Sequence, residues 1–175
     1  MLILVEQYGE RDLCQVTGLL NMMQFMRHAS AHLEDELAEP LTFMYFDIEN
    51  FKSFNQRYGF QQGNRLLRYV ADLLRETFEG NLVARFNDDH FAVATQREMP
   101  TDCIQFIHER IRVYDLGLPM EVKAGIYHPP PEVTDVALIM DRAKIACNSI
   151  KNTYDTMWAE FDPAMEEEIN FRSHI

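Results

Sequence analysis

The chain has few positive charges, few cysteines and no long hydrophobic run. It carries 16 lysines and arginines against 28 acidic residues, for a formal net charge of -12. No basic stripe stands out, which argues against a domain that grips nucleic acid through its phosphates and against a polybasic membrane-binding patch. A small phosphorylated ligand is still compatible with this charge, because bound metal ions can supply positive charge locally.

The apolar opening, MLILV, is five residues long, too short for the core of a signal peptide or for a membrane span. The three cysteines, Cys14, Cys103 and Cys147, are far apart and lack CxxC spacing. This pattern predicts reduced thiols in a cytoplasmic protein, with no zinc site and no disulfide framework. A length of 175 residues suits a single domain that is large enough to bury a proper core.

Hydrophobic periodicity predicts elements in the order α-β-α-β-β-α-β-α-β. The continuous apolar run LTFMYFDI, residues 41–48, is typical of a central strand that is buried on both faces. The other predicted strands cover residues 82–86, 90–95, 119–128 and 156–162, and the later helices cover 64–78, 102–114 and 133–152. A hairpin between two helix-connected strands predicts an α+β (layered α/β), ferredoxin-like fold with a mixed or antiparallel sheet of about five strands flanked by helices.

The predicted hairpin has a polar tip, Asn87-Asp88-Asp89-His90, and Asp47 ends the central strand. Hard divalent ions such as magnesium prefer oxygen ligands, and nucleotide phosphates can complete their shell. Two strands that meet at a pair of carboxylates are typical of metal-assisted phosphoryl chemistry. Spacing alone, however, favours the simpler interpretation of a solvated acidic turn and an aspartate at a strand end.

Four segments, in order along the chain, resemble the motifs of the GGDEF family, the diguanylate cyclase domain of bacterial second-messenger signalling. They are DLCQVTGLLNMMQF, FDIENFKSFNQRYGFQQGNRLL, ARFNDDHFAV and IMDRAKIACNSIKN, and FDPAM resembles the usual end of the domain. The resemblance implies a nucleotide-cyclase-like domain over residues 12–163. Residues 1–11 would then be an N-terminal flank, and residues 164–175 a tail consistent with a linker to a further domain.

In that family, two GTP-loaded domains face each other, and each 3'-hydroxyl attacks the α-phosphate of the opposite GTP to give cyclic di-GMP. The resemblance implies Mg²⁺ or Mn²⁺ as cofactor. It assigns metal binding to Asp47, Asp89 and the backbone carbonyl of Ile48. It places catalytic positions at Asp89 and His90. It assigns nucleotide binding to Asn50, Phe51, Lys52, Asn55, Asn64, Asn87 and Asp88.

Several of these positions depart from the family pattern. Asn87 and Asp88 replace two glycines, and the Asp88 side chain is expected to crowd and repel the α-phosphate. His90 replaces an acidic residue, and a neutral imidazole is a poor ligand for magnesium that suits manganese or zinc better. Asn64 replaces an aspartate that accepts two N–H groups of guanine, so guanine selection should weaken.

The last motif departs from the pattern as well. Asn148 and Asn152 stand where the family has a phosphate-contacting lysine and arginine. Lys144 and Lys151 are close in sequence, but they lie at a different helical phase in this alignment.

Together these features favour a degenerate GGDEF domain that binds GTP or a related guanine nucleotide, has impaired catalysis and regulates a partner or an adjacent domain. An EAL-type phosphodiesterase domain in a larger cytosolic signalling protein is the expected neighbour. Two alternatives stay open: an active diguanylate cyclase with an atypical metal site, and a ligand-free dimerisation module. The sequence leaves open whether the chain forms a homodimer.

Overall fold

A computed structural model describes residues 10–114 and 117–173, so the opening MLILV lies outside the described residues. The strands are β1 (Thr42–Glu49), β2 (Leu82–Asn87), β3 (His90–Thr95), β4 (Glu121–Tyr127) and β5 (Trp158–Glu160). The helices are α1 (Met22–Glu34), α2 (Phe51–Tyr58), α3 (Phe60–Thr77), α4 (Thr101–Arg112), α5 (Val136–Ser149) and α6 (Pro163–Ser173). Among these helices, none is both long and apolar enough to cross a lipid bilayer.

The five strands form one mixed sheet in the order β2-β3-β1-β4-β5, which places the apolar run of β1 at its centre. Pairing is antiparallel except between β4 and β5, which run parallel. Successive side chains of β1 point to opposite faces. Met44 and Phe46 pack with α2, α3 and α4, whereas Phe43 and Tyr45 pack with α1 and α5. The predicted α+β, layered fold class is confirmed.

Helix α2 is the main difference from the sequence prediction, which gave a turn there and began the next helix at residue 64. Phe51, Phe54 and Tyr58 follow the spacing of one helical face, and the first two are buried. Gly59, with φ 87°, then ends α2 and starts α3 four residues earlier than predicted. At the other end of the chain, α6 crosses the predicted domain boundary at residue 163.

Helix α5 lies against β4 at Gly125. A Cβ atom at Gly125 would stand 1.9 Å from the carbonyl oxygen of Ala143 and 2.4 Å from the amide nitrogen of Cys147. Only glycine therefore allows this close approach. It brings the segment that follows α5 over the end of β1, where Asp47 lies.

Candidate functional site

Asp47 lies near the end of the central strand and is buried, with 3% of its surface exposed. It is on the same face of β1 as Tyr45 and Phe43, two and four residues away, and so faces α5. The antiparallel register places His90 of β3 opposite Asp47 on one side and Lys123 of β4 on the other. Three ionisable residues therefore form a row across the three central strands, near the end of β1.

The hairpin between β2 and β3 confirms the predicted tip. Asn87 pairs with His90, and Asp88 and Asp89 form the two-residue loop. Asp88 is exposed and takes a positive φ of 29°, a conformation that favours the glycine found in the family. The Asp89 carbonyl accepts a hydrogen bond from the Ile48 amide at 3.2 Å, which holds the tip against the end of β1.

Two basic side chains approach opposite oxygens of the Asp47 carboxylate. His90 Nε2 lies 3.4 Å from Oδ1, and Lys151 Nζ lies 3.4 Å from Oδ2. His90 Nε2 also lies 3.6 Å from Asp89 Oδ1. The structure therefore brings together Asp47, Asp89 and His90 as the sequence predicted, and adds Lys151, which the sequence alignment placed out of phase.

The cluster perturbs the protonation of its members. Burial and the charge of Asp47 raise the pKa of Asp89 to about 6. The hydrogen bond to Asp47 raises the pKa of His90. Burial opposes ionisation of Asp47, but hydrogen bonds from His90 and Asp89 outweigh it and leave the Asp47 pKa lowered. The protonation state of each of these three groups therefore depends on the other two.

The donor atoms of this cluster fit a divalent metal ion. One ligand atom each from Asp47, Asp89 and His90 lies within 4.8 Å of the others. Two carboxylates and one imidazole can supply part of the coordination shell of a divalent cation. The carbonyl of Ile48, assigned to the metal by resemblance, remains a predicted ligand.

The turn that follows Asp47 leads directly into α2, and its role in phosphate binding remains a prediction. Asn50 has φ 65°, and its side chain does not cap the first turn of α2. The amide groups of Phe51 and Lys52 open α2 and have no partner within the helix itself. Phe51 is buried, and the Lys52 side chain is exposed. Amides at a helix start that lack a partner within the helix favour an anionic group.

The two asparagines assigned to guanine lie on α2 and α3, which join at Gly59. Asn55 Oδ1 is buried without a hydrogen-bond partner. It is turned towards Gly63, where a Cβ atom would stand 1.7 Å from it. Asn64, the next residue, lines a cavity of about 310 Å³ with Gln61, Arg65 and Arg68. The Asn55 amide also carries a hydrogen-bond donor, Nδ2.

A buried lysine, Lys123, donates hydrogen bonds to the segment that carries Lys151. Lys123 is 1% exposed, and its Nζ donates to the carbonyl oxygens of Thr153 and Thr156. The Asn152 amide donates to Glu49 Oε1 at 2.9 Å. Lys151 lies two residues beyond Ser149, the last residue of α5, so helical phase does not govern its direction. This anchor was not identified from the sequence, although a lysine within the otherwise apolar strand 119–128 was a signal for it.

Comparison with known proteins decides the family. A family model described as "Diguanylate cyclase, GGDEF domain" matches residues 12–156. The chain belongs to the GGDEF family. The hairpin tip of this GGDEF domain reads Asn-Asp-Asp-His-Phe over residues 87–91, at the position of the motif that gives the family its name.

Relatives of this GGDEF domain occur in larger proteins. The biofilm architecture maintenance protein MbaA of Vibrio cholerae is 26% identical over 178 residues, which cover 91% of this chain and 22% of MbaA. The cyclic di-GMP phosphodiesterase PdeR of Escherichia coli is 28% identical over 166 residues, which cover 88% of this chain and 24% of PdeR. The chain thus spans less than a quarter of the length of either relative.

Solved structures confirm the GGDEF fold. The coiled coil and GGDEF domain of DgcB from Caulobacter crescentus, solved in complex with c-di-GMP, superposes with a TM-score of 0.77 at 21% identity. The match covers 86% of this chain and 86% of that one. This likeness agrees with the layered fold described above.

Proposed function

We propose that this GGDEF domain binds GTP or a related guanine nucleotide with a divalent metal ion, has weak or no cyclase activity, and regulates a partner or an adjacent domain in cyclic di-GMP signalling. The observation that carries the proposal is the position of Asp47 between His90 and Lys151. The metal-binding aspartate of the family is retained, but its negative charge is already shared with two basic side chains.

Nucleotide binding is supported by the turn after Asp47 and by Asn55. The amides of Phe51 and Lys52 at the start of α2 suit a terminal phosphate, and the Lys52 side chain adds a positive charge. The donor that Asn55 offers suits the O6 acceptor of guanine, whereas adenine carries an amino group at the equivalent position. Asn64 replaces a carboxylate, so we expect a smaller preference for guanine over adenine than an aspartate would give.

Impaired catalysis is supported by the charges around the metal position. Stabilisation of the charge that develops in the transition state is a large contribution to phosphoryl transfer. His90 supplies a neutral or positive group where the family has a carboxylate, and this weakens the attraction for magnesium. The exposed Asp88 carboxylate stands at the tip of the hairpin and adds repulsion for a nucleotide phosphate.

Regulation of a neighbour is supported by the relatives. PdeR is a cyclic di-GMP phosphodiesterase, and this chain matches 24% of its length. A GGDEF domain that binds nucleotide without fast turnover can report nucleotide concentration to the rest of such a protein. We propose an EAL-type phosphodiesterase domain as the regulated neighbour, with both domains in the cytoplasm.

The test is a thermal titration with GTP in the presence of Mg²⁺ and, separately, Mn²⁺. Binding at 100 times the dissociation constant adds about 2.7 kcal/mol to the free energy of unfolding. For a domain of this size that is a rise in Tm of roughly 5–10 °C. ATP at the same concentration, and the Asn55→Ala variant with GTP, are the controls and should both give smaller shifts. No shift with millimolar GTP and either ion would refute nucleotide binding.

A long incubation with GTP tests the claim of impaired catalysis. The Asp47–Asp89–His90 cluster can hold a metal ion, and this observation favours an active cyclase with an atypical metal site as the second candidate. Cyclic di-GMP formed at the rate of an active family member would establish that second function. A dimer in solution that shows no nucleotide response would instead establish the dimerisation module.

A further inference from the structure

His90 is oriented like a histidine that binds a metal ion. Its Nδ1 lies 2.6 Å from the side-chain oxygen of Asn87. An amide oxygen only accepts hydrogen bonds, so the ring proton is on Nδ1 and the lone pair of a neutral ring is on Nε2. The Tyr45 ring packs against the imidazole, with 5.3 Å between centroids, and restricts its plane. Metal-binding histidines are commonly oriented by such a hydrogen bond on the outer nitrogen.

The inner nitrogen faces two acceptors. His90 Nε2 is 3.4 Å from Asp47 Oδ1 and 3.6 Å from Asp89 Oδ1. A proton on Nε2 satisfies these two oxygens when the ring is protonated, and a metal ion bound by Nε2 and both oxygens satisfies them when the ring is neutral. Lys151 approaches the other oxygen of Asp47, Oδ2, and so leaves Oδ1 available to an ion on the His90 side. The geometry thus brings one nitrogen and two oxygen donors together in a partly buried position.

This donor set discriminates between metal ions. Magnesium prefers oxygen ligands at short, near-octahedral distances and keeps several of its waters. Zinc and manganese accept imidazole together with carboxylate, and for mixed nitrogen and oxygen sites the affinity rises from manganese to zinc. Replacement of a family carboxylate by His90 therefore changes the preferred ion as well as the net charge.

We infer that Asp47, Asp89 and His90 form a site that selects a first-row transition-metal ion of the zinc and manganese class over magnesium, with Asn87 as the positioning residue. This inference rests on the proposed function only in taking Asp47 as a metal ligand. The three protein ligands are present without nucleotide, so the ion binds to the free domain. The spacing of the cysteines, which argued against a zinc site, does not bear on this cluster.

The experiment is calorimetric titration of the whole chain with Zn²⁺ and with Mg²⁺, without nucleotide. We expect Zn²⁺ to bind at least 100-fold more tightly than Mg²⁺. The His90→Gln variant should bind Zn²⁺ at least tenfold more weakly, with its weak Mg²⁺ binding unchanged. His90→Glu should lower the ratio of Zn²⁺ to Mg²⁺ affinity.

The matched control is His128→Gln. His128 contacts Thr42 at the opposite end of β1, so loss of this imidazole should leave Zn²⁺ affinity unchanged. Asn87→Ala should weaken Zn²⁺ binding by about 10-fold or more, as loss of an orienting partner commonly does, and Asn87→Asp should restore it. The visible spectrum of the Co²⁺-loaded protein should change in His90→Gln and stay unchanged in His128→Gln.

Nuclear magnetic resonance of the unmodified protein gives a second measurement that does not depend on the folding of a variant. Of the six histidines in the chain, the ring nitrogens of His90 alone should shift at one equivalent of Zn²⁺. Equal Zn²⁺ affinity in His90→Gln and the unmodified protein, or a Zn²⁺ shift at other histidines instead, would overturn the inference. Zn²⁺ binding without any response to GTP would leave the inference standing and refute the proposed nucleotide binding. A response to GTP without preferential Zn²⁺ binding would overturn the inference and leave the proposed nucleotide binding standing.

Discussion

Replacement of Gly63 by alanine should stabilise the domain and weaken its guanine site. Gly63 lies within α3, where glycine is about 1 kcal/mol less favourable than alanine. The new Cβ would stand 1.7 Å from Asn55 Oδ1 and 2.9 Å from Asn55 Cγ, so the Asn55 side chain must rotate away. That rotation is inexpensive, because the atoms in the way belong to the end of a flexible side chain.

The expected gain in stability has two parts. The helix propensity contributes about 1 kcal/mol. Release of Asn55 Oδ1, which is buried without a partner, adds to this because the oxygen can then reach water. For a domain of this length a gain of about 1 kcal/mol raises Tm by about 2–4 °C.

The expected loss in binding follows from the same rotation. The Asn55 amide no longer faces the guanine edge, and loss of one hydrogen bond to a bound ligand costs about 1–3 kcal/mol, or roughly 5- to 150-fold in affinity for GTP. ATP affinity should change much less. Differential scanning calorimetry measures the first effect, and isothermal titration with GTP measures the second.

A double-mutant cycle with Asn55→Ala is the control. In the Asn55→Ala background, Gly63→Ala should still raise Tm but should cause no further loss of GTP affinity, because the two changes act through one side chain. A Gly63→Ala variant with a lower Tm and unchanged GTP affinity would refute this account of the contact between α2 and α3.

Three further predictions concern the surroundings of the site. Gly125→Ala should lower the free energy of unfolding by about 3 kcal/mol in urea titrations, because its Cβ would overlap the backbone of α5; a loss below about 1 kcal/mol would contradict the packing described. Lys123→Met should cost about 2 kcal/mol or more, because the partly buried carbonyls of Thr153 and Thr156 lose their donor; the exposed Lys52→Met is the control and should cost close to nothing. Asp88→Gly should stabilise the hairpin by about 0.5 kcal/mol through its positive φ, and a loss of stability would show that the Asp88 side chain contributes to the turn.

The sequence predicted the central features of the fold because they depend on local patterns. The unbroken apolar run of β1 indicated a strand buried on both faces, and the hairpin tip separated two apolar runs. Helix α2 was missed because it has only eight residues and begins directly at the end of a strand. The apolar spacing of α2 is present in the sequence, but the resemblance to a phosphate-binding turn favoured a loop there.

The candidate site was predicted in part for a similar reason. Asp47, Asp89 and His90 occupy motif positions, and strand pairing brings them together. The approach of Lys151 to Asp47 depends on the close packing of α5 at Gly125 and on the anchor provided by Lys123. Contacts that depend on packing between distant segments have no local pattern, and so sequence alone did not indicate them.

The hairpin tip has a consequence for how such a domain diverges. Asn87 and Asp88 are exposed, and neither they nor Asp89 and His90 belong to the two hydrophobic cores that hold the sheet to its helices. Substitutions there change the chemistry of the site while the scaffold keeps its stability. A few substitutions at the tip can therefore replace catalysis by nucleotide sensing, without compensating substitutions in the hydrophobic cores.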